Sequence, residues 1–341
     1  MTMVPFSNFH NRLALMSREF NWGIISTGGI AQQFAKDLTF LGNHKVGAVG
    51  SRTKESAEKF AATFGGTAYG SYEELVNDKN IDGVYVATPH PYHVRDALLA
   101  LNAGKPVLCE KPFAISAAEA KSMVDAAKKS NVLLMEAMWT RFLPHIAKIR
   151  SIIASGAIGT VHTVEASHCQ NLYTRPNPRF TEPNLGGGAL MDLGIYPVSF
   201  AHLILGVPNK ITAKAVLTDK NVDAQTSMIF QYASGAQAVL NCSIMNQSPC
   251  KATISGDKGY IEIDGSFYAP NAFRTKINNE FTEYAKDYEG HGLREQAREF
   301  ERCIGAGLKE SPLLTPAETI TIMESMDEIR RQIGLEFPQV I

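Results

Sequence analysis

From Trp22 to about Met138, short apolar runs alternate with amphipathic stretches, the pattern of a parallel sheet wrapped by helices. WGIISTG, KVGAVGS, GVYVATP, KPVLCEK and VLLMEAM read as its strands. Between them, Ile30 to Phe40, Lys54 to Phe64, Tyr72 to Asn77, Tyr92 to Ala103 and Ala117 to Lys129 read as helices, each ending at or near a Gly or Asn. The spacing therefore predicts a doubly wound domain over residues 21–140, after an N-terminal tail over 1–20. That tail carries Arg12 and Arg18 but has neither a long apolar run nor a small-residue cleavage site, so a tail is favoured over a targeting segment.

After Arg141 the rhythm changes. One helix, about Pro144 to Ser155, precedes β-branched and aromatic segments at Val161–Cys169, Ile211–Leu217, Gln225–Tyr232, Ala236–Ile244, Lys251–Ser255 and Tyr260–Asp264. Ser234-Gly235 and Asp257-Lys258-Gly259 supply hairpin turns, so neighbouring strands are expected to be largely antiparallel. A helical block, Gly188 to Leu205, interrupts the series, and helices at Leu293–Ile304 and Pro316–Ile333 close it. Residues 141–341 thus read as an α+β domain for substrate binding and oligomerisation.

Composition narrows the function. Lys and Arg number 33 against 34 Asp and Glu, a net charge of −1, which offers no field for nucleic acid or an anionic membrane. No run approaches the ~18 apolar residues of a membrane span. The cysteines, Cys109, Cys169, Cys242, Cys250 and Cys303, are odd in number and form no CxxC pair. The pattern argues against a disulfide framework or zinc site, no metal is expected, and a reducing cytoplasm fits best.

The turn GIISTGGIA joins the first strand to the first helix. Ser26, Gly28 and Ala31 stand where a dinucleotide fingerprint has Gly, Gly and Gly or Ala, and amides at the helix start face an anion. Thr27, Gly29 and Ile30 complete the turn. The second strand ends in Ser51-Arg52 with Lys54 behind and no acid before Glu55, which favours the 2′-phosphate of NADP; NAD remains usable if Arg52 only stacks on adenine. ATPHPYH and CEKP lie at later strand ends, where open α/β sheets bind ligands, which places Thr88, Pro89, His90, His93, Glu110 and Lys111 at the cofactor. In GGGALMDLGIYP, Asp192 and Tyr196 are four residues apart, on one face of a helix, and Gly186, Gly187 and Gly188 allow backbone to approach a ligand closely. An Asp and Tyr at that spacing also suit a hydrogen-bonded core pair.

Taken in order, GIISTGGIA, ATPHPYH, EKP and GGGALMDLGIYP resemble the Gfo/Idh/MocA family of oxidoreductases. MEAMWTRFLP and the closing ESPLLTPAETITIMESMDEIRRQIGLEFPQ look most like its dimeric dihydrodiol dehydrogenase and NADP-dependent D-xylose dehydrogenase branch. The resemblance implies a Rossmann domain followed by a domain with an open sheet whose exposed face makes a homodimer or homotetramer. It makes Lys111 and Tyr196 the acid/base pair, with Asp192 orienting the substrate. Lys111 is then expected to draw the phenol down from its ordinary pKa of ~10. Trp139, Arg141 and Phe142 at the domain junction are candidates for the pocket floor, and His168, Arg175, Arg179 and His291 for substrate contacts. The implied activity is NADP-dependent hydride transfer at a hydroxyl or carbonyl carbon of a sugar, polyol or trans-dihydrodiol. The alternatives are an inositol dehydrogenase or ketose reductase of the same family, or a non-catalytic dinucleotide sensor.

Overall fold

A computed structural model describes residues 18–338, so the tail expectation over residues 1–17 lies outside the described residues. The first sheet is wholly parallel, in the order β3-β2-β1-β4-β5-β6: β1 Phe20–Ile25, β2 His44–Gly50, β3 Thr67–Tyr69, β4 Gly83–Val86, β5 Val107–Glu110 and β6 Leu134–Ala137. Its helices are α1 Gly29–Leu38, α2 Lys54–Phe64, α3 Tyr72–Val76, α4 His93–Asn102 and α5 Ala117–Ser130. Local chemistry starts them. Ser71 and Ser116 accept the N–H of Glu74 and Glu119, whose carboxylates reach back to the N–H of Gly70 and Ile115. β3 is a sixth strand that the apolar pattern misses, because three partly exposed residues give no run to read.

The second sheet holds eight strands in the order β14-β13-β12-β11-β7-β10-β9-β8. They are β7 Val161–Cys169, β8 Lys210–Leu217, β9 Asp223–Gln231, β10 Gln237–Ser243, β11 Ala252–Gly256, β12 Gly259–Ile263, β13 Phe273–Ile277 and β14 Glu280–Tyr284. All pairings are antiparallel except β7 with β10. β13 and β14 were not expected. Their signal is Asn278-Asn279, both at positive φ in a tight hairpin turn. One face of the sheet buries Phe230, Met228, Ala238 and Leu240; on the other, Val239 and Ile229 are cross-strand partners and both exposed, and Val216, farther along β8, is exposed on the same face.

Helix α6 Pro144–Ala154 precedes β7, and a π-helical turn, Leu190–Gly194, leads into α7 Ile195–Leu205. By length and composition Pro183–Leu205 is apolar enough to cross a membrane, but 83% of its most apolar 18 residues are buried inside the domain, as expected of a core element. Asp223 holds the turn in place, its carboxylate accepting the Leu190 N–H at 2.8 Å and the Thr226 hydroxyl at 2.7 Å.

The last two helices, α8 Arg294–Gly305 and α9 Pro316–Ile333, return to the first sheet. Phe300 lies 5.0 Å from the Trp22 ring, and the Trp22 N–H donates to His44, whose other nitrogen sits 2.9 Å from Glu301. Farther along, Thr319 donates to Glu136 and Asp327 accepts the Ala117 N–H. A cut at residue 140 therefore does not capture the packing, because the C-terminal chain completes the core of the N-terminal domain. Arg141 ties the two parts together: its guanidinium bonds Ser199 on α7 at 3.1 and 2.9 Å and Glu318 on α9 at 2.7 Å.

Candidate functional site

Three segments meet beyond the C-terminal ends of β4 and β5. Lys111 follows β5, His90 follows β4, and Asp192 comes across from the π-helical turn of the second domain. The Lys111 ammonium donates to the Asp192 carbonyl at 3.0 Å and to its carboxylate at 3.3 Å, and lies 4.8 Å from the centre of the Tyr196 ring. Arg179 grips the same carboxylate with one nitrogen, 3.1 and 3.2 Å from its two oxygens, and places another 3.3 Å from His90 Nε2.

Asp192 and Tyr196 are four apart, as the spacing required, but the intervening turn is π rather than α, and the two side chains meet through Lys111 instead of stacking as a bonded pair. The glycines before them also act differently from expectation. A Cβ at Gly186 would press on His90, one at Gly187 on the backbone of Glu182 and Phe180, and one at Gly188 on Asp223. Their close neighbours in the structure are protein backbone and side chains.

The charges follow from this geometry. Burial alone would raise Asp192, but Lys111 and Arg179 outweigh it and hold the carboxyl well below the usual range. Burial works against charge on Lys111, yet Tyr196 and Asp192 overcome it and the ammonium is retained. For Tyr196 the expectation is corrected: Lys111 does pull the phenol down, but burial outweighs it and the pKa lies above 10. The free protein therefore presents a neutral phenol. Burial keeps the nearby histidines neutral, with His93 at about 4, His168 at about 3 and His90 well below its ordinary value.

Around the phenol stands an aromatic wall. The Trp139 indole N–H donates to Tyr196 Oη at 2.9 Å, and His291 stacks on the indole with centroids 4.8 Å apart. His168 stacks on Tyr268 at 3.9 Å, and Tyr268 lies 5.0 Å from Tyr196, with Gln170 donating to the Tyr268 hydroxyl. Tyr268 and Gln170 escaped the sequence reading because they sit on irregular chain and at a strand end, with no motif to mark them. Three candidates stand elsewhere. Arg141 is engaged by Ser199 and Glu318, Phe142 is buried in the core, and the exposed Arg175 makes no side-chain contact with this cluster.

At the first glycine position of the fingerprint, Ser26 takes φ 97°, a conformation that costs a non-glycine residue roughly 1–3 kcal/mol. Its hydroxyl accepts the Gly28 N–H at 3.3 Å, while a Cβ at Gly29 would meet only open space. Beyond Thr27 and Ile30 the turn runs into α1. Ser51 is buried and Arg52 is exposed with no ion pair among the described residues. Arg52 lines a cleft of about 600 Å³ with Tyr72, Arg95 and Asp96. No sequence motif marks Arg95, and Lys54 turns away to the Ala68 carbonyl. His93, fully buried, sits between the segments that follow β4 and β5, its ring nitrogens 2.8 and 2.9 Å from the carbonyls of Thr88 and Pro112; the neutral ring donates to one of the two. Glu110 accepts from Tyr85 and from the Lys111 N–H. His90 Nδ1 and Thr88 Oγ1 are buried without protein partners. An open glycine turn, an unpaired cation at the end of β2 and unpartnered polar atoms after β4 fit a dinucleotide laid across the strand ends. Among the described residues no group of three or more His, Cys, Asp or Glu side chains could hold a metal ion.

Residues 20–138 match the oxidoreductase family with an NAD-binding Rossmann fold, and residues 146–262 match the GFO/IDH/MocA C-terminal domain. The trans-1,2-dihydrobenzene-1,2-diol dehydrogenase of Mus musculus is 40% identical over 331 residues, covering 93% of this chain and 98% of the relative. Its counterpart in Xenopus laevis is 39% identical over 328 residues, covering 93% and 99%. Among solved structures, the aldose-aldose oxidoreductase of Caulobacter crescentus superposes with a TM-score of 0.85 at 25% identity, covering 93% and 98%. A 3-ketoreductase from Actinomadura kijaniata, in complex with NADP and TDP-benzene, shares the fold with a TM-score of 0.83 at 23% identity, again over 93% and 98%.

Replacing Asp192 with Asn keeps the shape but leaves Lys111 and Arg179 uncompensated. With a discount for the partial exposure of Arg179, a loss of about 2 kcal/mol in unfolding free energy is expected. Urea titration measures it, and an unchanged midpoint would show that the cluster is not held by charge.

Proposed function

The chain belongs to the GFO/IDH/MocA family of NAD(P)-binding oxidoreductases, and from that premise we propose that it moves hydride between NADP(H) and a CH–OH carbon of a sugar, polyol or trans-dihydrodiol. The observation that carries this reading is the convergence of Lys111, Asp192 and Tyr196 from two domains beyond the C-terminal ends of β4 and β5. Bound nicotinamide supplies or takes the hydride. In reduction, Tyr196 gives its proton to the substrate oxygen as that oxygen gains charge, while Trp139 keeps its N–H on the same phenol oxygen. The Lys111 ammonium beside the ring stabilises the phenolate so formed, and Asp192 holds the ammonium in place. In oxidation Tyr196 takes the hydroxyl proton, and the height of its pKa makes that direction favour alkaline pH. The aromatic wall of Trp139, Tyr268 and His168 suits the flat or ring-shaped faces of sugars and cyclic diols.

NADP is the preferred dinucleotide on the strength of Arg52, which has no acidic partner among the described residues and shares its cleft with Arg95; the first acid beyond it, Glu55, is engaged by Lys59 at 2.7 Å. The free, buried thiols of all five cysteines support a reducing compartment. A homodimer or larger homo-oligomer is supported by the exposed Val239–Ile229 pair and by Val216 on the uncovered face of the second sheet.

Absorbance at 340 nm with NADP or NADPH and a panel of sugars, polyols and trans-dihydrodiols is expected to reveal turnover, with Tyr196→Phe reducing it by about 10²-fold or more while cofactor affinity stays near wild type. Turnover that survives Tyr196→Phe removes the phenol from the mechanism. Arg52→Ala is expected to weaken NADP about tenfold and NAD far less in titrations of the binary complex, and equal losses refute the 2′-phosphate assignment. In sedimentation at micromolar concentration the protein is expected to run as a dimer or larger, and a monomer contradicts the sheet-face reading.

A further inference from the structure

A buried carboxylate outside the ion cluster remains to be explained. Asp37, near the C-terminal end of α1, is 1% exposed and belongs to none of the motifs. It accepts three backbone N–H groups from one turn: His291 and Gly292 at 2.8 Å and Arg294 at 2.9 Å. Three such donors on one carboxylate make a strong, directional clamp. Other contacts fix the same turn. The Arg294 guanidinium stacks over Phe40 and Tyr288 at 4.6 and 4.1 Å, and Gly292, at φ 111°, lies so close to Leu143 and Pro270 that no side chain fits there.

The clamped turn has one product on the site side. It lays the His291 imidazole on the Trp139 indole, 14° from parallel. The imidazole makes no hydrogen bond of its own among the described residues, so the stack is its contribution. The Trp139 side chain in turn has a single polar atom, and that atom donates to Tyr196 Oη. If the indole is free to tilt, this hydrogen bond lengthens and the phenol loses a donor that lowers its pKa.

We propose that Asp37 and His291 form a buttress for the phenol: Asp37 clamps the turn at residues 291–294, the turn presses His291 onto Trp139, and Trp139 is thereby held with its N–H on Tyr196. Both are positioning residues, since neither touches the reacting atoms. The clamp sits on the last turn of α1, the helix that opens at the glycine turn. The inference rests on the reading of Tyr196 as the proton-transfer group.

The test compares His291→Ala, His291→Phe and Asp37→Ala in the full chain, with D-xylose and trans-dihydrodiols as substrates. His291→Ala is expected to lower kcat about tenfold, leave the KM for NADP within about twofold, and move the rise of the oxidation rate to higher pH. His291→Phe, which keeps the stack and removes the ring nitrogens, is expected to restore most of kcat. Tryptophan emission gives a readout without turnover: His291→Ala and Asp37→Ala uncover Trp139 and shift the emission to the red against the constant background of Trp22, whereas His291→Phe does not. Wild-type kcat and emission in His291→Ala overturn the proposal, and so does equal damage from Ala and Phe. Tyr196→Phe is run beside them. If it keeps turnover the proton-transfer reading fails instead, and the emission shift alone then decides whether the buttress exists.

Discussion

Everything at the site depends on a carboxylate held between two cations. Asp192 is almost fully buried, and burying a lone carboxylate costs several kcal/mol, so its position is stable only because Lys111 and Arg179 come to it. Lys111 belongs to the first domain and Asp192 to the second, so the ion cluster forms only when the domains are correctly docked. The same contact fixes the charge on the lysine, and the lysine sets the electrostatic surroundings of the phenol. Interdomain geometry and proton chemistry are therefore one constraint.

The neutral phenol has a further meaning. A buried tyrosine with one ammonium nearby stays protonated, because removing water from the phenolate costs more than one cation returns. The arrangement suits proton donation without further change, whereas proton acceptance calls for additional positive charge or higher pH.

Much of this was legible in the sequence. Period-two and helical patterns gave the order of elements, and the motifs named Lys111, Asp192, Tyr196, Trp139 and Arg179, which the structure brings together. What could not be read was the geometry supplied by distant chain. A run of three glycines looks the same whether it makes room for a ligand or for His90 and Asp223. An Asp and Tyr four apart look the same in an α-turn and a π-turn. Tyr268 and Asp37 carry no local signature, since what matters is the segment each meets more than 70 residues away. Arg141 sits in a stretch that looks like a pocket floor, yet its guanidinium is consumed by Ser199 and Glu318.

The return of α8 to the first sheet bears on how the chain is made. Trp22, on the first described strand, packs against Phe300, and His44 on β2 pairs with Glu301. Synthesis proceeds from the N-terminus, and domains generally fold as units when their residues are available. Here the nucleotide-binding half lacks part of its own core until some 300 residues have left the ribosome. It reaches its final packing only after α8 has emerged, and a chain terminated after β14 would expose Phe20 and Trp22 as an apolar surface for chaperones and proteases to recognise.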